Sequence, residues 1–243
     1  MNSMGFYQSI APFYDHIFPL KTAALTFTKK FIPSNGVVVD AGSAAGSLAI
    51  AIAPFCNTMK AFDLDKEMVG ISRKKAGNIS NISFFTGDLM HIGDYCKPGK
   101  VDLIVCYGNT IVHLLTHEQI KSFLKQCYAS LKNQGVLALQ LLNYDFIFDE
   151  KVTELPVIEN DTITFTRKYR FRNNSNIIDF DTHLKVKSTN QEISNSVPLL
   201  ALRPPKLRAF LIDAGFSNFD LYSSFQKDPL DNKKMPLVVV ARK

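Results

Sequence analysis

Residues 37–46, "VVVDAGSAAG", form an apolar run that ends at an acid, Asp40, and then breaks into small residues. An apolar run followed by glycine is typical of a buried strand and a tight turn, because glycine lets the backbone approach a ligand closely. The stretch therefore predicts a strand whose carboxyl end meets a ligand. The carboxylate beside the turn restricts which ligand fits there.

The pattern continues to about residue 145 as apolar strands that alternate with amphipathic helices. Further strands are predicted over "TMKAFDL", "NISFFTGD", "VDLIVCYG" and "VLALQLL". One helix should begin after Asp65 and end at Gly77, and another should begin at a capping box formed by Thr116 and Gln119. Continuous apolar strands separated by helices predict an α/β protein with a doubly wound, mostly parallel sheet. Ligands of such sheets bind at the carboxyl ends of the strands.

The pattern changes after residue 149. "DTITFTRKYRFRNN" and "NIIDFDTHLKVKS" alternate at period two around an asparagine-rich turn, which predicts an antiparallel hairpin. We therefore expect a core with an N-terminal helical cover over residues 1–149 and a small β-hairpin insertion, acting as a lid, over residues 150–202. Residues 203–243, a helix and two strands, should complete the core.

The composition is that of an ordinary soluble globular protein, with 46% hydrophobic residues in 243. No segment has the pattern of a signal peptide or a membrane span, and four widely separated cysteines suit a reducing compartment. We expect a cytoplasmic protein without membrane partners. The net charge of +6 comes from scattered lysines and arginines, and "RKYRFR" at 167–172 favours an exposed strand face over an RNA surface.

The acids that follow the strands discriminate between nucleotide cofactors. A dinucleotide would place its pyrophosphate against the glycine turn, where Asp40 would repel it. S-adenosylmethionine (SAM) has an ammonium group there that a carboxylate attracts, so Asp40 favours SAM. Asp63 ends the second strand, where an acid can accept both ribose hydroxyls, and Asp88 follows the third, where it can accept from an adenine amino group. Singly, each acid is better explained as a cap or turn residue, but three acids after three successive strands favour a cofactor site.

In this order the motifs resemble the class I SAM-dependent methyltransferases, well over residues 36–145 and more weakly over the final two strands. The resemblance implies a seven-stranded Rossmann-like sheet and SAM as the cofactor, with S-adenosylhomocysteine as the product. Ala44 departs from the family pattern, because a glycine is usual there. The resemblance implies these cofactor-binding residues: Tyr7, Tyr14, Asp40, Ala41, Gly42, Ser43, Gly46, Asp63, Leu64, Met68, Gly87, Asp88, Leu89 and Tyr107.

The segments "CYGNTIVHLL" and "LLNYD" are similar to the glycine and sarcosine N-methyltransferases and their small-molecule relatives. This similarity implies acceptor-binding roles for Asn109, His113 and Tyr144, and Asn143 of the same segment is a further candidate. Arg203, directly before a predicted helix, is a candidate from its position beside the lid, although a surface role is favoured. The glycine enzymes are expected to carry an arginine where this chain has Leu142, so a less acidic acceptor than glycine is expected. His113 and Tyr14 are the candidate catalytic residues, although His113 could equally be a histidine that only hydrogen-bonds. No metal is expected, because the histidines form no ligand cluster.

The sequence thus predicts a SAM-dependent methyltransferase that acts on nitrogen or oxygen of a small molecule. The alternatives are an RNA or protein methyltransferase, suggested by the basic charge, and a SAM-binding protein without catalysis. A NAD-dependent oxidoreductase is disfavoured by Asp40. Against methylation of a nucleic-acid base, the chain has neither an Asn-Pro-Pro-Tyr nor an Asp-Pro-Pro-Tyr sequence.

Overall fold

The computed structural model describes residues 3–243, with side chains from residue 7 onward. The strands, in chain order, are β1 (Val37–Ala41), β2 (Thr58–Asp63), β3 (Ile82–Thr86), β4 (Val101–Cys106), β5 (Leu131–Leu142), β6 (Glu154–Glu159), β7 (Ile163–Phe171), β8 (Ile177–Val186), β9 (Glu192–Leu200), β10 (Asn218–Tyr222) and β11 (Pro236–Arg242). The helices are α1 (Ser3–Ile10), α2 (Tyr14–Ile17), α3 (Thr22–Lys29), α4 (Ser47–Ile52), α5 (Lys66–Ala76), α6 (Ile92–Tyr95), α7 (His117–Ser130), α8 (Tyr144–Asp149) and α9 (Pro204–Ala214).

Seven strands form the first sheet in the order β10-β11-β5-β4-β1-β2-β3. β1 to β5 are parallel, and β11 is antiparallel to both of its neighbours, β5 and β10. The chain moves outward from β1 to β3 and then returns to β4 on the other side of β1. The strand order therefore reverses between β1 and β4, which opens a crevice at their carboxyl ends.

The buried core lies on both faces of this sheet because its central strands are apolar along their whole length. Val38 and Val39 of β1 are both fully buried although they point to opposite faces. The helix α7 covers one face with its predicted apolar stripe, whose members are Ile120, Phe123, Leu124 and Cys127. The four cysteines are all unpaired.

The predicted α/β fold is confirmed, and several local signals act as expected. Asp65 accepts from the backbone amides of Glu67 and Met68 at the start of α5, and Thr116 and Gln119 form the capping box of α7. Within the described residues, no helix has the length and apolarity needed to cross a membrane.

The insertion is larger than the predicted hairpin. β7 and β8 pair as expected, but β6 and β9 flank them, so that the second sheet has four antiparallel strands in the order β6-β7-β8-β9. Both flanking strands contain proline, at Pro156 and Pro198, which weakens the strand pattern in the sequence. The helix α3 was also not predicted.

Candidate active site

A cavity of about 190 Å³ lies at the carboxyl ends of β1 to β4, at the reversal of strand order. The N-terminal cover, defined as residues 3–17, supplies part of its wall. Its lining consists of Tyr7, Tyr14, Gly42, Ala44, Phe62, Asp63, Leu64, Asp65, Met68, Gly87, Asp88, Leu89, Met90, Gly108, Thr110, His113, Leu114 and Gln119.

The glycine turn after β1 requires its two glycines. Gly42 and Gly46 have φ values of +79° and +76°, in the left-handed region that side chains disfavour. A Cβ atom on Gly42 would collide with the Thr110 side chain across the crevice, and one on Gly46 would lie 2.8 Å from the Phe84 ring. The turn therefore packs tightly against Thr110 and Phe84, and its residues Gly42 and Ala44 line the cavity.

Asp63 fixes this turn from the neighbouring strand. One carboxylate oxygen accepts from the Ala44 amide at 2.8 Å, and the other accepts from the Asp65 amide at 3.0 Å. Ala44 has a φ of +45°, which explains why glycine is usual at this position in the family that the sequence resembles. The Asp63 hydrogen bond holds Ala44 in that strained conformation. Burial raises the pKa of Asp63, opposed by its backbone hydrogen bonds.

Asp40 is buried at the end of β1, with 3% of its surface exposed. Burial, together with the nearby charge of Asp63, raises the pKa of Asp40 to about 7. In the same turn, the Ser43 hydroxyl is buried and has no hydrogen-bond partner among the described residues. A carboxylate short of positive charge and an unpaired hydroxyl suit the ammonium and carboxylate groups of an amino acid, such as the methionine part of SAM.

The turn after β3 completes the wall. Gly87 packs against the Tyr95 ring, and the Tyr95 hydroxyl accepts from the amide of Asp88 at 3.1 Å. One carboxylate oxygen of Asp88 accepts from the Met90 amide at 2.9 Å, as the cap of a short helical turn. The capping and binding interpretations of this acid are therefore compatible.

The N-terminal cover reaches the cavity through two tyrosines. The Tyr7 hydroxyl lies 2.8 Å from Nε2 of His113, which ends the 3₁₀ turn Thr110–His113 after β4. Burial lowers the pKa of His113 to about 4, so the imidazole is neutral at pH 7. Burial raises the pKa values of Tyr7 and Tyr14 above the usual range. The cavity thus holds neutral polar groups at this end and acids at the other strand ends.

A polar network ties the cover to the core. Lys75 of α5 donates to a carboxylate oxygen of Asp15 at 2.6 Å, to the Ser47 hydroxyl at 2.8 Å and to the Ala45 carbonyl at 2.9 Å. The Ser47 hydroxyl donates to the other Asp15 oxygen at 2.7 Å. The cover is therefore anchored beside the glycine turn.

The structure brings many of the predicted site residues together at the cavity: Tyr7, Tyr14, Gly42, Asp63, Leu64, Met68, Gly87, Asp88, Leu89 and His113. Asp40, Ala41, Ser43 and Gly46 belong to the strand end and turn directly behind this wall. The sequence analysis did not include these further lining residues in the site: Ala44, Phe62, Asp65, Met90, Gly108, Thr110, Leu114 and Gln119. Most of them adjoin predicted strand ends. Leu114 instead follows the 3₁₀ turn Thr110–His113, and Asp65 and Gln119 were predicted only as helix caps.

Three predicted acceptor residues lie behind the wall rather than in it. Asn109 donates to the Tyr144 hydroxyl at 3.1 Å and accepts from the Leu142 amide at 3.1 Å. Asn143 and Tyr144 are fully buried, and Asn143 caps α8. Asn109, supported by Tyr144, precedes the 3₁₀ turn that ends at His113 and braces its start, whereas Asn143 acts on α8.

Two other predicted site residues lie elsewhere. The Tyr107 hydroxyl contacts that of Thr28 at 3.1 Å, and its ring packs against Phe225. Arg203 pairs with Asp145 at 3.4 Å and stacks on Phe148, in a separate surface groove. The structure therefore does not place Tyr107 or Arg203 at the cavity, because side-chain direction in both cases follows tertiary contacts.

One known protein family matches the part of the chain that contains the strand-end turns of the cavity. Residues 38–135 match the model of the family described as "Methyltransferase domain". These residues span β1 to β4 and reach the first part of β5, so they contain the glycine turn and both acid-bearing turns. This part of the chain is therefore similar to a methyltransferase domain.

The chain is similar to known proteins in both sequence and structure. It is 26% identical over 130 residues to a glycine/sarcosine N-methyltransferase of Aphanothece halophytica, covering 53% of this chain and 46% of that protein. An S-adenosylmethionine-dependent methyltransferase of Clostridium acetobutylicum ATCC 824 superposes with a TM-score of 0.80 at 14% identity, covering 98% of each chain. The sugar N-methyltransferase KedS8 of Streptoalloteichus sp ATCC 53650 superposes with a TM-score of 0.66 at 13% identity, covering 96% of this chain and 92% of that one.

The predicted resemblance and fold are thereby confirmed. The similarity to methyltransferases, one of them described as S-adenosylmethionine-dependent, agrees with the enzyme class and cofactor that the sequence predicts. The chain spans a little less than half of the length of this curated relative.

Proposed function

We propose that the protein transfers a methyl group from SAM to nitrogen or oxygen of a small-molecule acceptor. The observation that carries this proposal is the charge of the cavity. Its described lining includes Asp63, Asp65 and Asp88 but no lysine or arginine. SAM has a net positive charge because of its sulfonium and ammonium groups, whereas a dinucleotide brings a pyrophosphate that these acids would repel.

The residues at each strand end fit successive parts of SAM. Asp40 and the glycine turn would hold the methionine part, with the unpaired Ser43 hydroxyl as an additional donor. Asp63 has lone pairs left for ribose hydroxyls after accepting two amides, and Asp88 and Leu89 would hold the adenine. Bound SAM supplies an electrophilic methyl group.

Methyl transfer needs alignment more than acid–base chemistry, and positioning alone supplies several kcal/mol of the barrier. His113, with a pKa of about 4, is too weak a base to remove a proton from an amine or hydroxyl readily. In this proposal its neutral imidazole and the Tyr7 hydroxyl orient the acceptor by hydrogen bonds. Tyr14, also a candidate catalytic residue, covers the cofactor.

The names of the relatives favour nitrogen as the acceptor atom, since both a glycine/sarcosine and a sugar enzyme are N-methyltransferases. We further propose that the second sheet acts as the lid over the acceptor. It packs on the cover through contacts of α1 with β9 and of α2 with β7.

Calorimetric titration of the purified protein with SAM, S-adenosylhomocysteine and NAD tests the cofactor. We expect micromolar binding of the first two and none of NAD. Methyl transfer from labelled SAM to a panel of amines and alcohols then tests catalysis. Binding of NAD would refute the cofactor assignment, and tight SAM binding without turnover would support the non-catalytic alternative. Transfer to RNA alone, with strong salt dependence, would replace the small-molecule acceptor.

A further inference from the structure

Lys75 links the N-terminal cover to the glycine turn from outside the cavity. It lies in the last turn of α5 and is not part of the described cavity lining. Its ammonium group donates to the Ala45 carbonyl of the glycine turn at 2.9 Å and to Asp15 of the cover at 2.6 Å. One side chain therefore contacts both the turn proposed to hold the methionine part of SAM and the segment that carries Tyr7 and Tyr14.

The contacts of Lys75 form a closed network. An ammonium group has three donors, and the third is used on the Ser47 hydroxyl at 2.8 Å. The Ser47 hydroxyl donates to the second carboxylate oxygen of Asp15 at 2.7 Å. A single exposed ion pair contributes little to stability, but a network in which every donor has an acceptor opens as one unit. The side chains of Lys75 and Asp15 are 32% and 43% exposed, so dissolved salt can screen their charges.

The cover also contacts the second sheet. Asn195 of β9 donates to the Ser9 hydroxyl at 2.9 Å. Asn160, in the loop between β6 and β7, donates to the His16 carbonyl at 2.9 Å. The cover therefore joins the glycine turn to the sheet that is proposed as the lid.

A bound cofactor would add to these contacts. Tyr7 and Tyr14 of the cover line the cavity, so a ligand inside it contacts the cover and the turn at once. The turn itself is held in place, because Asp63 accepts the Ala44 amide at 2.8 Å. Opening and closing of the cavity on this side therefore depend on the cover, and Lys75 is the residue that attaches the cover to the turn.

We infer that Lys75 and Asp15 are positioning residues that couple the cofactor site to the lid. They hold the cover on the glycine turn while SAM or S-adenosylhomocysteine is bound, and the cover in turn holds the second sheet over the acceptor end of the cavity. This inference rests on the proposed function. Because both residues act through the cover, loss of either one should speed the release of the cofactor and loosen the lid.

Release of radiolabelled S-adenosylhomocysteine from the full chain, chased with excess unlabelled ligand, tests the first effect. Lys75→Met should release the ligand about tenfold faster than the wild type, because charge-assisted hydrogen bonds are lost. Asp15→Asn should do the same, and the double variant should be at most about twofold faster than either single variant, since both substitutions remove one network. Raising NaCl from about 50 mM to about 1 M should speed release from the wild type about threefold, and Lys75→Met should lose this dependence.

Lys74→Met is the matched control. Lys74 is exposed in the same turn of α5 and forms no ion pair with a described residue. Its replacement removes one positive charge without touching the network, so the release rate should stay within about twofold of the wild type.

Hydrogen exchange tests the coupling to the lid. In the wild type, S-adenosylhomocysteine should slow the exchange of amides in residues 3–17, in β9 and in the glycine turn. In Lys75→Met at saturating ligand, the protection of the cover and of β9 should fall together by about tenfold, while the glycine turn keeps its protection. A variant that is merely less stable would lose protection in all three segments.

The inference is overturned if release from Lys75→Met stays within about twofold of the wild type, or if Lys74→Met releases the ligand as fast as Lys75→Met does. It is also overturned if the cover loses protection in Lys75→Met while β9 keeps it, or if all three segments lose it. Failure of the wild-type protein to bind S-adenosylhomocysteine would instead overturn the proposed function.

Discussion

The carboxyl edge of the first sheet and the inner face of the second sheet treat buried polar groups in opposite ways. At the first edge, Asp63 and Asp65 accept backbone amides, so the acids are held by the chain itself. On the second sheet, Arg167 and Thr182 are left with open donors. Backbone amides thus hold the acids at the edge of the first sheet, whereas the second sheet leaves buried donors of Arg167 and Thr182 without partners among the described residues.

The largest effect on SAM binding should follow from replacing Asp63, which holds the glycine turn and is proposed to bind SAM. Asp63→Ala should weaken SAM binding at least a thousandfold, because it removes charge-assisted hydrogen bonds together worth about 4 kcal/mol. Calorimetric titration measures the loss, and circular dichroism checks the fold. Asp94→Ala is the control, since Asp94 is exposed and pairs only with His91. A loss below tenfold would show that backbone geometry alone holds the nucleotide.

Replacing Asp40 should stabilise the folded protein and weaken the binding of SAM. Its pKa is about 7 in the folded protein and about 3.9 in the unfolded chain, so the stability it contributes is present below about pH 4 and lost as pH rises through 7. Asp40→Asn should therefore raise the free energy of unfolding by up to about 4 kcal/mol at pH 8 and by little at pH 4. Urea unfolding at both pH values measures this, and SAM affinity should fall in the same variant. An equal change at both pH values would contradict the assigned shift.

His113 should show the opposite pH dependence. Its folded pKa of about 4 lies below the unfolded value of about 6.5, so its stabilising contribution is present above pH 6.5 and lost as pH falls through 4. Lowering the pH from 7 to 5 should cost about 2 kcal/mol through this residue. In His113→Gln, unfolding curves at the two pH values should differ by that much less than in the wild type. Identical differences in both proteins would mean that His113 is solvated.

The smallest effects on stability are expected at two buried threonines, one in each region. Thr28 of α3 donates to the Ala24 carbonyl at 2.7 Å, whereas the Thr182 hydroxyl has no partner. Thr28→Val should destabilise the protein by about 1 kcal/mol, and Thr182→Val should stabilise it by about 1 kcal/mol, because only the second substitution removes an unsatisfied group. Chemical denaturation of both variants gives the two signs. If both substitutions change the free energy of unfolding in the same direction, the two regions do not differ in how they satisfy buried hydroxyls.

How far the sequence could predict the site also differs between the regions. The glycine turn, Asp63 and Asp88 follow apolar strands directly, and local patterns place strand ends well. The flanking strands β6 and β9 depend on pairing with distant neighbours, and proline weakens their alternation. The open donors of Arg167 and Thr182 arise from cross-strand register, which no local pattern encodes.

The second limit on predicting the site from the sequence was the direction in which each side chain points. Tyr107 and Arg203 stand at strand and helix ends where the sequence suggests a site, but their contacts with Thr28 and Asp145 turn them away. Tyr144 was expected near the pocket and instead supports Asn109 from behind. Position along the chain predicted the neighbourhood of each residue, whereas packing decided what it faces.

The anchoring of the N-terminal cover has a consequence for the timing of turnover. Tyr7 and Tyr14 border the space where SAM would lie, and the network of Lys75, Asp15 and Ser47 holds that cover shut. In the proposed enzyme, opening of the cover to release spent cofactor would break these bonds and the Tyr7–His113 contact. If this opening is slower than methyl transfer, acceptors of very different intrinsic reactivity would be consumed at similar rates.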